Sequence, residues 1–204
     1  MKSKKELAVT LSRMQSFQKP SWRLEQYPTD SEIAAEVVWF AYHIGDIEGK
    51  TIADLGCGTG TLGIAALFFS PEKVFFVDAD EKALKQLREN LLLMEIKDGY
   101  EILHHDISGF HGKADVVLQN PPFGVKSEHA DKAFLEKAFE IAEVVYSFHK
   151  ISTKDFVEKF SRDKGFRITH FFRFDFPLKQ TQEFHTRKIH RIEVGCWRFQ
   201  RISS

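Results

Sequence analysis

TIADLGCGTGTLGIAALFF, residues 51–69, decides the fold. A strand-length run, Thr51 to Leu55, enters a turn with glycines at 56, 58 and 60, and a helical apolar run follows until Ser70-Pro71 stops it. Glycines let the backbone turn tightly and approach a ligand that a side chain would block. In dinucleotide-binding proteins such a turn holds a pyrophosphate at a helix N-terminus. Here the turn opens with an acid, Asp54, and its spacing is G-x-G-x-G. A carboxylate repels a pyrophosphate but suits a ligand carrying ammonium and sulfonium charges. That favours S-adenosylmethionine over NAD.

Downstream, strands and helices alternate. KVFFVD reads as a strand, and a helix opens at Asp80 with Leu84, Leu87, Leu91 and Met94 on one face. A strand near 100–104, the strand ADVVLQ, a helix near 130–143 and the strand VVYSF follow. A further helix over about 153–164 is capped by Ser152 or Thr153 and ended by Gly165. Such repeated units predict a Rossmann-like α/β fold with a mostly parallel, seven-stranded sheet. FRITHFFRFDF and KIHRIEVGCWRFQ alternate with no helix between them, so they should close the sheet as an antiparallel hairpin. Upstream, Thr29-x-x-Glu32 reads as a capping box for a helix that Gly45 terminates. Residues 1–28 read as an N-terminal extension and 29–204 as a single domain.

Two more acids and one turn lie at strand ends. Asp78 ends the second strand, 18 residues past Gly60, where an acid can accept from both hydroxyls of a ribose. Asp106 follows the third strand and can accept from an adenine amine. Acids at these places also serve ordinary turn chemistry. After the fourth strand comes Asn120-Pro121-Pro122-Phe123-Gly124. Two prolines cannot continue a ladder and hold the backbone extended and stiff. The Asn120 oxygen and the Pro121 carbonyl can each accept one hydrogen of a planar amine, on which Phe123 can stack. Catalysis there would rest on positioning and oriented dipoles. Asn120, Pro121, Pro122 and Phe123 are the candidate catalytic set. His104 and His105 read as surface residues, not a metal pair.

Composition places the chain among ordinary globular proteins: 204 residues, 43% hydrophobic and 28% charged, enough for one sizeable core. The longest nearly unbroken apolar stretch, Leu62 to Phe69, is too short to span a bilayer, and MKSKKELAVT lacks a secretory core. Cys57 and Cys196 stand in no ligand-like spacing, so no metal site is indicated. A soluble cytoplasmic protein is expected. The net charge of zero hides a polarity: residues 1–145 hold 16 Lys+Arg against 23 Asp+Glu, and residues 146–204 hold 13 against 6. The second part also has four of the nine histidines. Such an edge suits a polyanion, or is simply a solvated basic surface.

From Leu11 to Phe199 the chain resembles the methyltransferase-like family of small-subunit rRNA adenine-N6 methyltransferases in an archaeal-type form. The resemblance is carried by LEQYPT (24–29), ADLGCGTG, the Asp78 strand end, NPPFG, VYSFHK with the following ST, and FHTRK. The NPPF tetrad is shared with DNA adenine methylases and protein glutamine methylases; LEQYPT is more particular. The resemblance implies methyl transfer from S-adenosylmethionine to the N6 amine of an adenine in structured RNA. It places Gln26 and Thr29 over the cofactor, with Asp54, Gly56, Gly58, Thr59, Gly60, Thr61, Asp78, Asp106 and Ile107 forming the pocket; Thr59 and Thr61 stand at positions that vary within the pattern. It also implies a small zinc-ribbon activator protein on an exposed sheet edge. Lys150, Arg187, Lys188, His190 and Arg191 become candidate phosphate contacts. N5 methylation of a protein glutamine and non-catalytic RNA binding remain alternatives.

Overall fold

The structure, a computed structural model, describes residues 1–16, 29–122, 130–178 and 190–202. The strands are β1 (Thr51–Leu55), β2 (Lys73–Asp78), β3 (Tyr100–His104), β4 (Val116–Gln119), β5 (Val144–Lys150), β6 (Phe166–Leu178) and β7 (His190–Arg201). The helices are α1 (Lys4–Leu11), α2 (Ser31–His43), α3 (Thr61–Leu67), α4 (Glu81–Leu93), α5 (Ala130–Ile141) and α6 (Lys154–Asp163). They form one seven-stranded sheet in the order β3-β2-β1-β4-β5-β7-β6. The first five strands pair in parallel, and β7 runs antiparallel to both β5 and β6. This is the expected Rossmann-like sheet with its terminal hairpin.

Burial explains why these runs became strands. β4 is buried at every position and β1 at all but its first residue, as a sheet covered on both faces requires. One core layer packs α1 to α4 against Val74, Phe76, Val116, Leu118, Tyr146 and Phe148. The other takes Leu135, Ala138 and Phe139 of α5 and Val157 of α6 against Ala53, Val117, Val145, Trp197 and Phe199. The N-terminal helix belongs to the first layer, with Leu7 and Leu11 buried one turn apart. On the side of the first layer, Arg198 grips Asp46 through Nε (2.7 Å) and Nη2 (3.0 Å), and the Tyr146 hydroxyl donates to the same carboxylate at 2.6 Å.

One local expectation is corrected. The N-cap of α2 is Asp30, whose Oδ1 accepts from Glu32 N at 2.9 Å and Ile33 N at 3.4 Å, and not Thr29. Both are good capping residues. The Thr29 hydroxyl instead accepts from the Asn120 side-chain amide at 3.1 Å, a partner 91 residues away.

Strand order positions the site. The chain winds outward from β1 through β2 to β3, then returns to place β4 on the other flank of β1. Ligands of open α/β sheets bind at the carboxyl ends of strands where the order reverses. The glycine turn leaves β1 and the Asn120 turn leaves β4, so the two candidate loops flank that reversal. The hairpin overhangs the same end: β5 last pairs at Lys150 with Val194, whereas β6 and β7 stay paired to Leu178 and His190, four residues further.

Candidate functional site

Gly56, Gly58 and Gly60 all adopt positive φ (64°, 54° and 88°), a region costly for other residues. Space forbids side chains as well. A Cβ at Gly56 would lie 2.8 Å from the Phe134 ring, and one at Gly60 would lie 2.2 Å from Leu87 Cδ1. The turn folds back onto the end of β2, where Gly56 N and Cys57 N both donate to the Val77 carbonyl at 2.8 and 3.1 Å. Thr59 is buried, and Thr61 begins α3.

The acids brace this turn. Asp78 Oδ2 accepts from Gly58 N and its Oδ1 from Asp80 N, both at 2.8 Å. Each oxygen keeps a further lone pair for a ligand hydroxyl. Burial raises its pKa and the N–H bonds from Asp80 and Gly58 partly restore it. Asp54 is 2% exposed, and its Oδ2 accepts from Gly63 N in the first turn of α3 at 2.8 Å. Burial pushes its carboxyl from 3.8 up to about 7, against the lowering effect of the Gly63 N–H. Asp106 follows β3, as expected, but is exposed and caps the short 3-10 helix Ile107–Gly109, accepting from Ser108 N at 2.9 Å. That backbone N–H and the Ser108 hydroxyl lower its pKa. Ile107 is buried beside it.

At the end of β4, Asn120 donates through Nδ2 to Thr29, while its Oδ1 is buried with no hydrogen-bond partner among the described residues. An orphaned buried acceptor costs about 1–3 kcal/mol. Pro121 and Pro122 continue the turn; Phe123 lies outside the described residues, as do Gln26, Arg187 and Lys188. For His190 and Arg191 only the backbone is described, at the start of β7. Lys150 ends β5, and its carbonyl accepts from Thr153 Oγ1 at 2.9 Å.

Sequence reading missed Asn90. Its Oδ1 accepts from Gln15 N (2.8 Å), and its Nδ2 donates to the carbonyls of Gln15 and Thr59 (both 3.0 Å). One fully buried amide thus ties the N-terminal segment to the glycine turn. Its signal was an asparagine three residues past Leu87, on the apolar stripe of α4. The chain Gln119–Ser147–His149 was also missed. Among the described residues, no group of three His, Cys, Asp or Glu side chains is placed to hold a metal ion, and no helix is long and apolar enough to cross a membrane.

Comparison with known proteins gives the site its relatives. The methyltransferase small domain family matches residues 37–145. The rRNA N(6)-adenosine-methyltransferase METTL5 of Danio rerio is 34% identical over 202 residues, covering 96% of this chain and 97% of that protein. Mettl5 of Drosophila melanogaster, with the same enzyme name, is also 34% identical, covering 96% and 95%. A crystal structure from Pyrococcus horikoshii is 43% identical and superposes with a TM-score of 0.91 over 100% of both chains.

Proposed function

Because the chain belongs to the rRNA N(6)-adenosine-methyltransferase family within the methyltransferase small domain proteins, we propose that it methylates the N6 amine of an adenine in structured RNA, most simply small-subunit rRNA. The observation that carries this reading is Asn120 Oδ1, buried without a partner among the described residues at the strand-order reversal that the glycine turn also flanks.

S-adenosylmethionine fits the residues present. Three left-handed glycines open the turn, Asp78 keeps free lone pairs for ribose hydroxyls, and Asp54 stands where the ligand's cationic end would lie. Gly56, Gly58, Thr59, Gly60, Thr61 and Ile107 would line the pocket, Thr29 and Gln26 would cover it, and Asp106 would take the adenine amine. When bound, this cofactor supplies a methyl group on a sulfonium centre, an electrophile at carbon.

The chain's own part is positioning. Asn120 Oδ1 and the Pro121 carbonyl each accept one amine hydrogen, which favours a tetrahedral nitrogen with its lone pair free of the ring. Thr29 accepts from the Asn120 amide nitrogen, which leaves the amide oxygen to face the substrate. No strong base is needed beforehand, because the amine proton becomes acidic only as the new bond forms. Pro122 continues the turn, and Phe123 would offer a stacking face to an adenine drawn out of its helix.

Because β6 and β7 stay paired beyond the end of β5, on the side of the strand ends that carry the glycine and Asn120 turns, Arg187, Lys188, His190, Arg191 and Lys150 are the proposed phosphate contacts. Among the described residues of this basic part, Arg173 pairs with Glu193 and Lys159 with Asp163, so these two cations are already neutralised within the chain. Replacing Arg187 and Lys188 by Ala should weaken RNA binding and lower the salt slope by about 1 to 2. An unaltered slope would make the tip ordinary solvated surface. β3, which has a strand neighbour on one side only, offers an edge for a small zinc-ribbon activator, and the proposed working place is the cytoplasm.

Asp54 gives the reading a pH dependence. Its carboxyl holds a proton below about pH 7 in the ligand-free chain, and a cationic ligand favours the carboxylate. S-adenosylmethionine affinity should therefore fall as pH drops below 7, by roughly tenfold per unit at most. The Asp54→Asn variant should flatten that fall; an identical profile would remove the charge role. By the same linkage, the unliganded chain loses stability as pH rises from 3.8 to about 7, because the unfolded chain releases this proton first.

The substrate class is tested with labelled S-adenosylmethionine and rRNA from cells lacking the protein. Label that nuclease releases is expected; label that only protease releases would favour glutamine methylation.

A further inference from the structure

Asn120 and Pro121 have a role above, whereas the residues behind them have none. Among the described residues, four buried side-chain polar atoms lack a hydrogen-bond partner: Gln119 Oε1, Asn120 Oδ1, His149 Nδ1 and Trp197 Nε1. Three of them belong to adjacent strands: Gln119 is in register with Ser147, Ser147 with Trp197, and His149 with Gly195, while Asn120 follows Gln119 in the chain. Each orphan forfeits the hydration of its group, which stability alone does not explain.

Gln119, Ser147 and His149 form a chain. Gln119 Nε2 donates to Ser147 Oγ at 2.9 Å, and Ser147 Oγ lies 2.7 Å from His149 Nε2. Burial pushes the His149 pKa down to about 3, so the ring is neutral, and the Ser147–His149 bond runs in the direction that the imidazole tautomer sets. The far end of this hydrogen-bonded chain is packed tightly: the His149 and Trp197 rings meet at 5.9 Å and 68°, and a Cβ on Gly195 would lie 2.5 Å from the Trp197 ring. A nucleophilic Ser–His pair is a poor reading, since Ser147 is fully buried and His149 nearly so.

Side-chain alternation puts Gln119 on the same sheet face as Val117, in the layer of α5 and α6. Thr29, which holds the Asn120 amide, precedes α2 in the opposite layer. The turn is thus held from both faces of the sheet.

We propose that Ser147 and His149 are positioning residues which, through Gln119, set the Asn120 oxygen where the substrate amine requires it. The inference rests on the role given to Asn120 above. Misplacing a catalytic group by about 1 Å can cost on the order of 100-fold. Ser147→Ala, which deletes one atom, should lower kcat by roughly 10- to 100-fold, with S-adenosylmethionine and RNA affinities within about twofold of wild type. Ser147→Thr keeps the hydroxyl and should recover most of the rate. His149→Phe should behave like Ser147→Ala. Because the chain acts through Asn120, adding Ser147→Ala to Asn120→Ala should cost little more.

A purely structural role would lower the melting temperature yet leave kcat per folded molecule unchanged at saturating substrates, and that result would overturn the proposal. So would full additivity in the double variant. If His149→Phe fails to fold, the two Ser147 variants and the double variant decide. Product analysis separates the two levels. N6-methyladenosine from wild type with an unaffected Ser147→Ala sinks this inference alone, whereas a different wild-type product sinks both.

Discussion

Asn120→Ala should fold, bind S-adenosylmethionine with near wild-type affinity, and transfer methyl groups roughly 100- to 1,000-fold more slowly. The effect is large because two hydrogen-bond acceptors carry the proposed catalysis and the variant removes one. It is specific because the lost oxygen has no partner among the described residues, so its removal breaks no described bond. The amide nitrogen does have one, and Thr29 Oγ1 loses its donor, a neutral bond worth about 1 kcal/mol that should reach the melting temperature and little else. Rates at saturating cofactor and RNA separate the cases. A rate near wild type would remove the amine clamp from the mechanism.

Asp78→Ala should weaken S-adenosylmethionine binding by about 30-fold or more, corresponding to about 2 kcal/mol. Two losses combine. The ribose loses its acceptor, and the N–H groups of Gly58 and Asp80 lose the carboxylate that fixes the glycine turn. Calorimetry on the folded variant distinguishes a ligand role from a turn role. A lower melting temperature with unchanged affinity would reduce Asp78 to turn chemistry.

The sequence carried the framework because the framework is local. Apolar runs of strand length, the helix stripe of Leu84, Leu87 and Leu91, and the glycine and proline turns each follow from a few consecutive residues. Strand-end placement of Asp54, Asp78 and Asn120 followed from those boundaries. What escaped depends on partners distant in sequence. Asn90 joins Gln15 to Thr59 across 75 and 31 residues, and Gln119 reaches Ser147 across 28. Thr29 and Asp30 are both capping residues, and only the Asn120 amide, brought in by tertiary folding, decides which of them caps α2. Asp106 is the mixed case: its strand-end position was legible, while its exposure and its use by Ser108 were not.

The basic C-terminal part shows the limit of charge counting. Arg198 contributes to the positive total yet lies buried against Asp46, so it serves the core. Only placement tells a structural cation from one available to a phosphate backbone.

Everything proposed for the site reduces to an amine held by Asn120 and Pro121 beside a methyl donor in the glycine turn. The most direct measurement is nucleoside analysis of RNA methylated by the protein with isotopically labelled S-adenosylmethionine. Label confined to N6-methyladenosine is the expected result. Label on a ring nitrogen, on ribose, or on a nucleoside without an exocyclic amine would contradict the clamp at its root.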